Sequence, residues 1–262
     1  MATPIITLTT DFGTRDPFVG AMKGVMLGIA PDARLVDLTH EVAPHDVLEG
    51  ALALEAAAGF FPPGTVHLAV VDPGVGSSRR PLAVAAQGQF FVGPDNGLFS
   101  FALAGPGWSA VCLEAAAYRL PRVSRTFHGR DVFAPASAHL ALGTPLPNFG
   151  RAVTDPVLIP WPRARRQGAA LVGEVVHADR FGNLVTSVRA ADLEGLGPPE
   201  SLVVEVEGKE VGDVVGCYAD LPLGGAGALV GSSDRLEISV REGSAVAKTG
   251  AGRGSRVSVR KR

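Results

Sequence analysis

Residues 70–84 read VVDPGVGSSRRPLAV. An apolar run delivers a carboxylate, Asp72, and a loop containing Gly74 and Gly76 follows before two guanidinium groups, Arg79 and Arg80. This is no phosphate cradle. A Walker-type loop needs Gly-Lys-Ser/Thr opening a helix, and a dinucleotide loop needs GxGxxG at the first strand-to-helix turn. Here no lysine follows, and PLAV has strand character. Glycines are free to adopt positive φ, so a tight excursion can return Arg79 or Arg80 toward Asp72. A guanidinium beside a carboxylate keeps the acid ionised and fixes its orientation. That pairing suits a structural ion pair or a catalytic one, and spacing leaves both open.

Three further clusters carry polar side chains at turns. RTFHGRDVFAP sets His128, Arg130 and Asp131 just before a helical stretch, and a histidine in a glycine-flanked polar turn is a candidate acid or base. HADRFGNLVTS crowds Asp179, Phe181 and Asn183 into a turn between two strands, able to stack on and hydrogen-bond a flat heterocycle or a ribose. The bland reading there is an Asx-type turn beside a core phenylalanine. VGSSDRLEI offers Ser232 and Ser233 as hydroxyl donors. In open α/β sheets ligands bind outside the carboxyl ends of the strands, which singles out Asp11, His40 and Asp72 after the first three strand-like runs.

The elements that must position these groups fall into two styles. PIITLTT, ARLVDLTH and TVHLAVVD read as strands; GAMKGVMLGIAP and DVLEGALALEAAAGFF read as helices, the second opened by Asp46 as N-cap. That alternation predicts a parallel sheet with right-handed crossovers. PLAVAAQGQFFVG predicts a hairpin turning at Gln87-Gly88, and VFAPASAHLALG a closing helix. Residues 144–168 carry five prolines without a sustained period. Beyond them ALVGEVVHAD, NLVTSV, SLVVEVEG, GALVGSS, RLEISV and SRVSVRKR are short strands between glycine-rich turns. The expected architecture is an α/β N-terminal domain over 1–150 with a central, mostly parallel sheet. A linker over 151–168 and a smaller all-β, barrel-like C-terminal domain over 169–262 complete it.

Composition narrows the function classes. Of 262 residues 46% are hydrophobic and the formal net charge is −2, so no global field favours nucleic acid or an acidic membrane. The basic end, with Arg253, Arg256, Arg260, Lys261 and Arg262, alternates with Ser and Val as a terminal strand with one solvated face does. Cys112 and Cys217 lie far apart in apolar contexts, which predicts buried thiols in a reducing compartment rather than a zinc site. No basic leader and no long apolar run appear, so a cytoplasmic protein without membrane attachment is expected.

In order, TTDFG, DLTHEVAPHDVLEGA, VVDPGVGSSRRP, GPDNGL, FHGRDVFAPASAHLA and DRFGN make the chain resemble the S-adenosylmethionine hydroxide adenosyltransferases, relatives of the fluorinating and chlorinating enzymes. The resemblance runs from Pro4 to about Ser244. It implies hydrolysis of S-adenosylmethionine to adenosine and L-methionine by displacement at the ribose 5′ carbon, without cofactor or metal. It also implies a homotrimer, each site lying between the N-domain of one subunit and the C-domain of a neighbour. By position it assigns Asp72, Arg79 and His128 as catalytic; the chemistry then expected of these residue types is that His128 and Asp72 accept the water's proton while Arg79 orients the water and fixes their charge states. Asp11 becomes the ribose ligand, and Asp179 and Asn183 the partners of the methionine end and the purine side, with Phe181, Ser232 and Ser233 at the same wall. The halide enzymes have tyrosine at the Asp72 position, serine at Gly129 and an aromatic at His45, so water is the expected nucleophile.

Overall fold

The computed structural model describes residues 3–262, which divide into a unit ending at Pro160 and a unit Trp161–Arg262. The first unit runs β1 (Ile5–Thr10), α1 (Phe18–Ile29), β2 (Arg34–Thr39), α2 (Val47–Ala58), β3 (Val66–Val70), β4 (Pro81–Ala86), β5 (Gln89–Pro94), α3 (Ser100–Leu103), β6 (Ser109–Cys112) and α4 (Ala134–Ala141). Its sheet has the order β2-β1-β3-β5-β4-β6, with β1 parallel to both β2 and β3, and β3 parallel to β5. β4 alone runs antiparallel, between β5 and β6.

Covering both faces is what the near-continuous apolar runs of β1 and β3 require. Ile6, Leu8, Val66, Leu68 and Val70 pack against Met22 and Met26 of α1 and Ala134 and Ala138 of α4. Met22, Met26, Ile6 and Leu8 are wholly buried, and a side chain of this size contributes about 1.5–3 kcal/mol when removed from water. Asp46 caps α2 as its sequence suggests, accepting from the Glu49 amide at 3.0 Å. Gln87 and Gly88, at φ 54° and 74°, turn the β4–β5 hairpin in the twist-matching conformation.

Strand order positions the site. From β1 the chain steps outward to β2, then α2 carries it back across β1 to β3 on the other side. The order reverses between β1 and β3, and a crevice opens at such a switch point at the carboxyl ends of the strands. The proline-rich stretch beyond 150 lies along this unit as an ordered strap. Val153 N donates to the Ala110 carbonyl at 2.8 Å, Val157 N to Asp95 Oδ1 at 2.8 Å and Ile159 N to Ser100 Oγ at 2.9 Å.

The second unit is built from β7 (Arg165–Gln167), β8 (Ala170–Ala178), β9 (Leu184–Arg189), β10 (Leu202–Val206), β11 (Lys209–Asp213), β12 (Ala226–Val230), β13 (Arg235–Val240) and β14 (Arg256–Lys261). The order is β11-β10-β14-β8-β9-β13-β12, with β7 added to β8. A bridge between Val214 and Ala228 joins the two ends and curls the sheet into a nearly closed barrel. Val175, Leu184, Val188, Val204, Ile238, Val257 and Val259 fill it. The basic C-terminal strand lies inside this order, between β10 and β8, because Val257 and Val259 point into the core while Arg260 pairs with Glu205 at 2.9 Å outside. The expectation of two buried thiols holds only for Cys112; Cys217 is exposed, opening a short 3-10 turn. No helix among the described residues is long and apolar enough to cross a membrane.

Candidate active site

Thr10 pairs with Val70 across β1 and β3, so the next polar residues, Asp11 and Asp72, emerge together at the carboxyl edge of the switch point. After Asp72 the chain makes the excursion that its glycines suggest. Val75 N donates to the Asp72 carbonyl at 3.2 Å and Ser77 N to that of Gly74 at 3.1 Å. Gly76 sits at φ +76°, where a Cβ would collide with the Arg125 carbonyl oxygen. Both facts require glycine.

Of the two arginines, it is Arg79 that the excursion returns to Asp72. Its Nε donates to Oδ1 at 2.9 Å and to Oδ2 at 3.1 Å, and its Nη2 donates to Oδ2. Nη2 also lies 3.0 Å from His128 Nδ1, and the guanidinium carbon stands 5.1 Å from the centre of the Phe133 ring. The side chains of Asp72 and Arg79 are 5% and 9% exposed, so the pair is desolvated rather than solvent-screened. Arg79 Nη1 is buried with no hydrogen-bond partner among the described residues. Arg80 turns away, donating Nε to Asp95 Oδ2 at 2.7 Å and Nη1 to Asp155 Oδ1 at 2.7 Å, which ties down the strap.

His128 is delivered by an irregular helix start. A π-helical turn, Gly129–Phe133, runs into α4, with the Ala134 amide bonded back to the Gly129 carbonyl. Pro135 has no N–H to offer the Asp131 carbonyl, which instead accepts from Leu120 N at 2.9 Å. A guanidinium only donates, so Nδ1 of His128 accepts from Arg79 and the neutral ring carries its proton on Nε2. Burial, then the neighbouring Arg79 charge, hold the imidazole below its ordinary value of 6.5. Asp131 and Arg130 stand apart from this chain. Asp131 is fully buried and accepts Arg130 Nε at 2.6 Å and the Ser124 amide at 2.7 Å, pinning the loop that precedes His128.

On the β1 side, Asp11 Oδ2 accepts the His45 amide at 2.9 Å, an amide presented by the left-handed conformation of His45 at φ 69°. Phe12, Phe18 and Phe127 meet edge to face at centroid distances of 5.9, 6.1 and 5.3 Å, an apolar wall joining the Asp11 and His128 segments. Within the first unit, therefore, Asp72, Arg79 and His128 form one hydrogen-bonded chain, and Asp11 emerges at the same strand edge.

In the second unit, Asp179 serves its own turn. Oδ1 accepts the amides of Phe181 and Asn183, each at 2.8 Å, and Oδ2 accepts Asn183 Nδ2 at 2.9 Å. Gly182, at φ +83°, closes the turn where a Cβ would collide with Ser244 Oγ. This leaves Phe181 76% exposed at the tip, a ring held out by a rigid turn. Ser232 and Ser233 lie in the β12–β13 turn. Because Arg189 pairs with Arg235 and Leu184 with Ile238, the two turns leave the β9–β13 ladder at opposite ends, so pairing alone does not bring the serines to the Asp179 turn. Between them sits Glu237, nearly buried, which accepts from Tyr218 Oη and from Ser239 Oγ at 3.2 Å. The hydrogen bond to this carboxylate, and then burial, push the Tyr218 hydroxyl up to about 12. No sequence signal announces Tyr218 and Glu237, which stand 19 residues apart with no motif joining them.

Comparison with known proteins agrees with this architecture unit by unit. The family model described as SAM hydroxide adenosyltransferase N-terminal domain matches residues 6–150, and the one described as its C-terminal domain matches residues 173–258. An (R)-S-adenosyl-L-methionine hydrolase of Salinispora tropica is 41% identical over 261 residues, 98% of each chain. One of Thermus thermophilus is 44% identical over 246 residues, 90% of this chain and 91% of the relative. The crystal structure of an uncharacterized conserved protein from Thermotoga maritima superposes with a TM-score of 0.92 at 32% identity, covering 98% of this chain and all of the other.

Proposed function

The chain belongs to the SAM hydroxide adenosyltransferase family, and from that membership we propose that it hydrolyses S-adenosyl-L-methionine to adenosine and L-methionine. The observation that carries the mechanism is the buried chain Asp72–Arg79–His128 beside the β1–β3 crevice. The sulfonium is already a good leaving group, so the task is to supply an oxygen nucleophile in line behind the ribose 5′ carbon. The O–C5′ bond forms, the C5′–S bond breaks with its electron pair going to sulfur, and the surplus proton leaves to solvent.

The donor pattern favours stabilising hydroxide over general-base removal by His128. Nδ1 of His128 is occupied by the guanidinium, and Nε2 carries the ring proton. Arg79 Nη1 and His128 Nε2–H are then both donors, suited to holding an anionic oxygen, as an oxyanion hole does. Asp72, whose two oxygens accept from Arg79, keeps the guanidinium oriented and is the carboxylate of the chain that takes the water's proton before it passes to solvent. Asp11 takes the ribose hydroxyls, and the turn Asp179–Asn183 with Phe181 recognises the methionine end and the purine. The Ser232–Ser233 loop lines the same wall. The assembly is a homotrimer in which a neighbour's second unit completes each site, so mixing inactive Asp72→Ala and Phe181→Ala chains restores part of the activity.

A carboxylate at the nucleophile position repels halide, and most strongly where it is desolvated, which sets this reading against 5′-halogenation. Incubation with S-adenosylmethionine in chloride and chloride-free buffer, followed by nucleoside chromatography, tests it. Equal adenosine and methionine in both buffers are expected. Chloride-dependent 5′-chloro-5′-deoxyadenosine would replace the proposal with a halogenase, and binding without turnover would replace it with a sensor.

A further inference from the structure

We infer that Thr10, Asp37 and His40 form a positioning chain that fixes Asp11 for the ribose hydroxyls; this rests on the reading of Asp11 as the ribose ligand. Lys23 of α1 donates to Asp37 Oδ2 at 2.6 Å, and Asp37 Oδ1 lies 3.0 Å from His40 Nε2. His40 Nδ1 is 2.9 Å from Thr10 Oγ1, which also accepts the Phe12 amide at 3.2 Å. The Gly13 amide donates to the His40 carbonyl at 2.8 Å, and the His45 amide holds Asp11 Oδ2. Residues 10–13 are thus gripped by the segment 40–45 from both sides of Asp11.

The polarity of the chain runs one way. A carboxylate only accepts, so His40 carries its proton on Nε2; Nδ1 then accepts from the Thr10 hydroxyl, whose lone pair takes the Phe12 amide. The Thr10–His40 link is a formed hydrogen bond, whereas His40 Nε2 meets Asp37 at ion-pair distance without forming a directed hydrogen bond, so that link holds the ring by charge rather than by alignment. Burial raises the Asp37 carboxyl, but the bonds from Lys23 and His40 outweigh it and hold the group below the usual range, ionised and accepting. Thr10 is fully buried and His40 is 5% exposed, so neither finds water as a substitute partner if the other is removed. One end of the chain is the partly exposed Lys23–Asp37 pair, and the other is the residue that precedes Asp11. Neither His40 nor Thr10 reaches the reacting atoms in this scheme; both act through Asp11.

The test compares dissociation constants for adenosine and 2′,3′-dideoxyadenosine in the wild type and in Asp11→Ala, His40→Ala and Thr10→Val. Charge-assisted hydrogen bonds to the diol predict a wild-type preference for adenosine of about 10- to 100-fold, and Asp11→Ala should abolish it. His40→Ala and Thr10→Val should shrink the same preference at least about fivefold, with dideoxyadenosine affinity nearly unchanged. Equal weakening of both ligands would mean a general structural role and overturn the inference. A preference kept in His40→Ala and Thr10→Val but lost in Asp11→Ala would also overturn it, leaving the ribose reading intact. A preference that survives Asp11→Ala would refute the ribose reading itself, and this inference with it. Should His40→Ala fail to fold, Thr10→Val, nearly isosteric, breaks the chain at one hydroxyl and decides alone.

Discussion

Replacing Arg79 by lysine keeps the charge and removes the fork. In the wild type one guanidinium holds Asp72 through two nitrogens, reaches His128 Nδ1 at 3.0 Å and leaves Nη1 as a buried donor. A single ammonium cannot occupy these positions at once, and the Asp72 carboxylate will draw it down. The nucleophile then lacks one donor, worth about 10²–10³ in rate in comparable oxyanion sites, and the hydrogen bond to His128 goes with it. The expected result is a kcat for adenosine release lowered about 100- to 1,000-fold with KM for S-adenosylmethionine within about threefold, since Arg79 is assigned no contact to the nucleoside or the amino acid. Arg79→Ala should fall further and recover in part with added guanidinium. The reasoning fails if lysine costs less than about tenfold in kcat, or if the loss resides in KM.

Acid should inactivate through His128. Burial and Arg79 hold its ring below 6.5, so kcat/KM should decline only as pH falls through a midpoint under that value, where protonation of Nδ1 breaks the bond from Arg79; a pH–rate profile lacking that limb in His128→Asn would check it. His67 links stability to pH. It is fully buried, bonded to Thr7 at 2.7 Å and stacked on Phe91, and desolvation pushes it down to about 4. Its contribution is complete above pH 6.5, where both states are neutral, and is lost as pH falls toward 4, where only the unfolded chain takes the proton. The span corresponds to about 3 kcal/mol. Denaturant titrations at neutral pH and near the lower end of that window should show His67→Gln losing less stability on acidification than the wild type. Gly76→Ala should lower stability by roughly 2–4 kcal/mol, from its positive φ and the collision of the new Cβ with the Arg125 carbonyl, and should lower kcat by displacing Arg79; an unchanged Tm would contradict the loop geometry.

Much of the architecture is legible in the sequence because its causes are local. The β-branched runs PIITLTT and TVHLAVV, the Asp46 cap and the Gln87-Gly88 turn each specify their element from within a few residues, and all of them form as expected. Within the second unit, the strands and α-helices that escape such a reading have the weakest local signal, namely the exposed three-residue β7, the glycine-bearing β11 and the short helices Ala190–Leu193 and Ala245–Thr249. They exist because the barrel supplies pairing partners or a surface to pack on, which a short segment cannot supply for itself.

For the candidate site, the residue types can be read from the sequence, but their pairings cannot. The glycine loop announces that a guanidinium can return to Asp72; only the tertiary structure shows that Arg79 does so while Arg80 crosses to Asp95 and Asp155. Local spacing likewise presents His128, Arg130 and Asp131 as equals. The π-helical turn ahead of Pro135 separates them, sending His128 to Arg79 and Asp131 into the loop. Hydrophobic period and turn residues act over a few positions, so sequence alone dictates which chemical groups stand at the ends of β1 and β3. Which of those groups share protons is a tertiary matter: a hydrogen bond forms only within about 3 Å, and such distances between residues 7 to 49 positions apart are set by the packing of the whole unit.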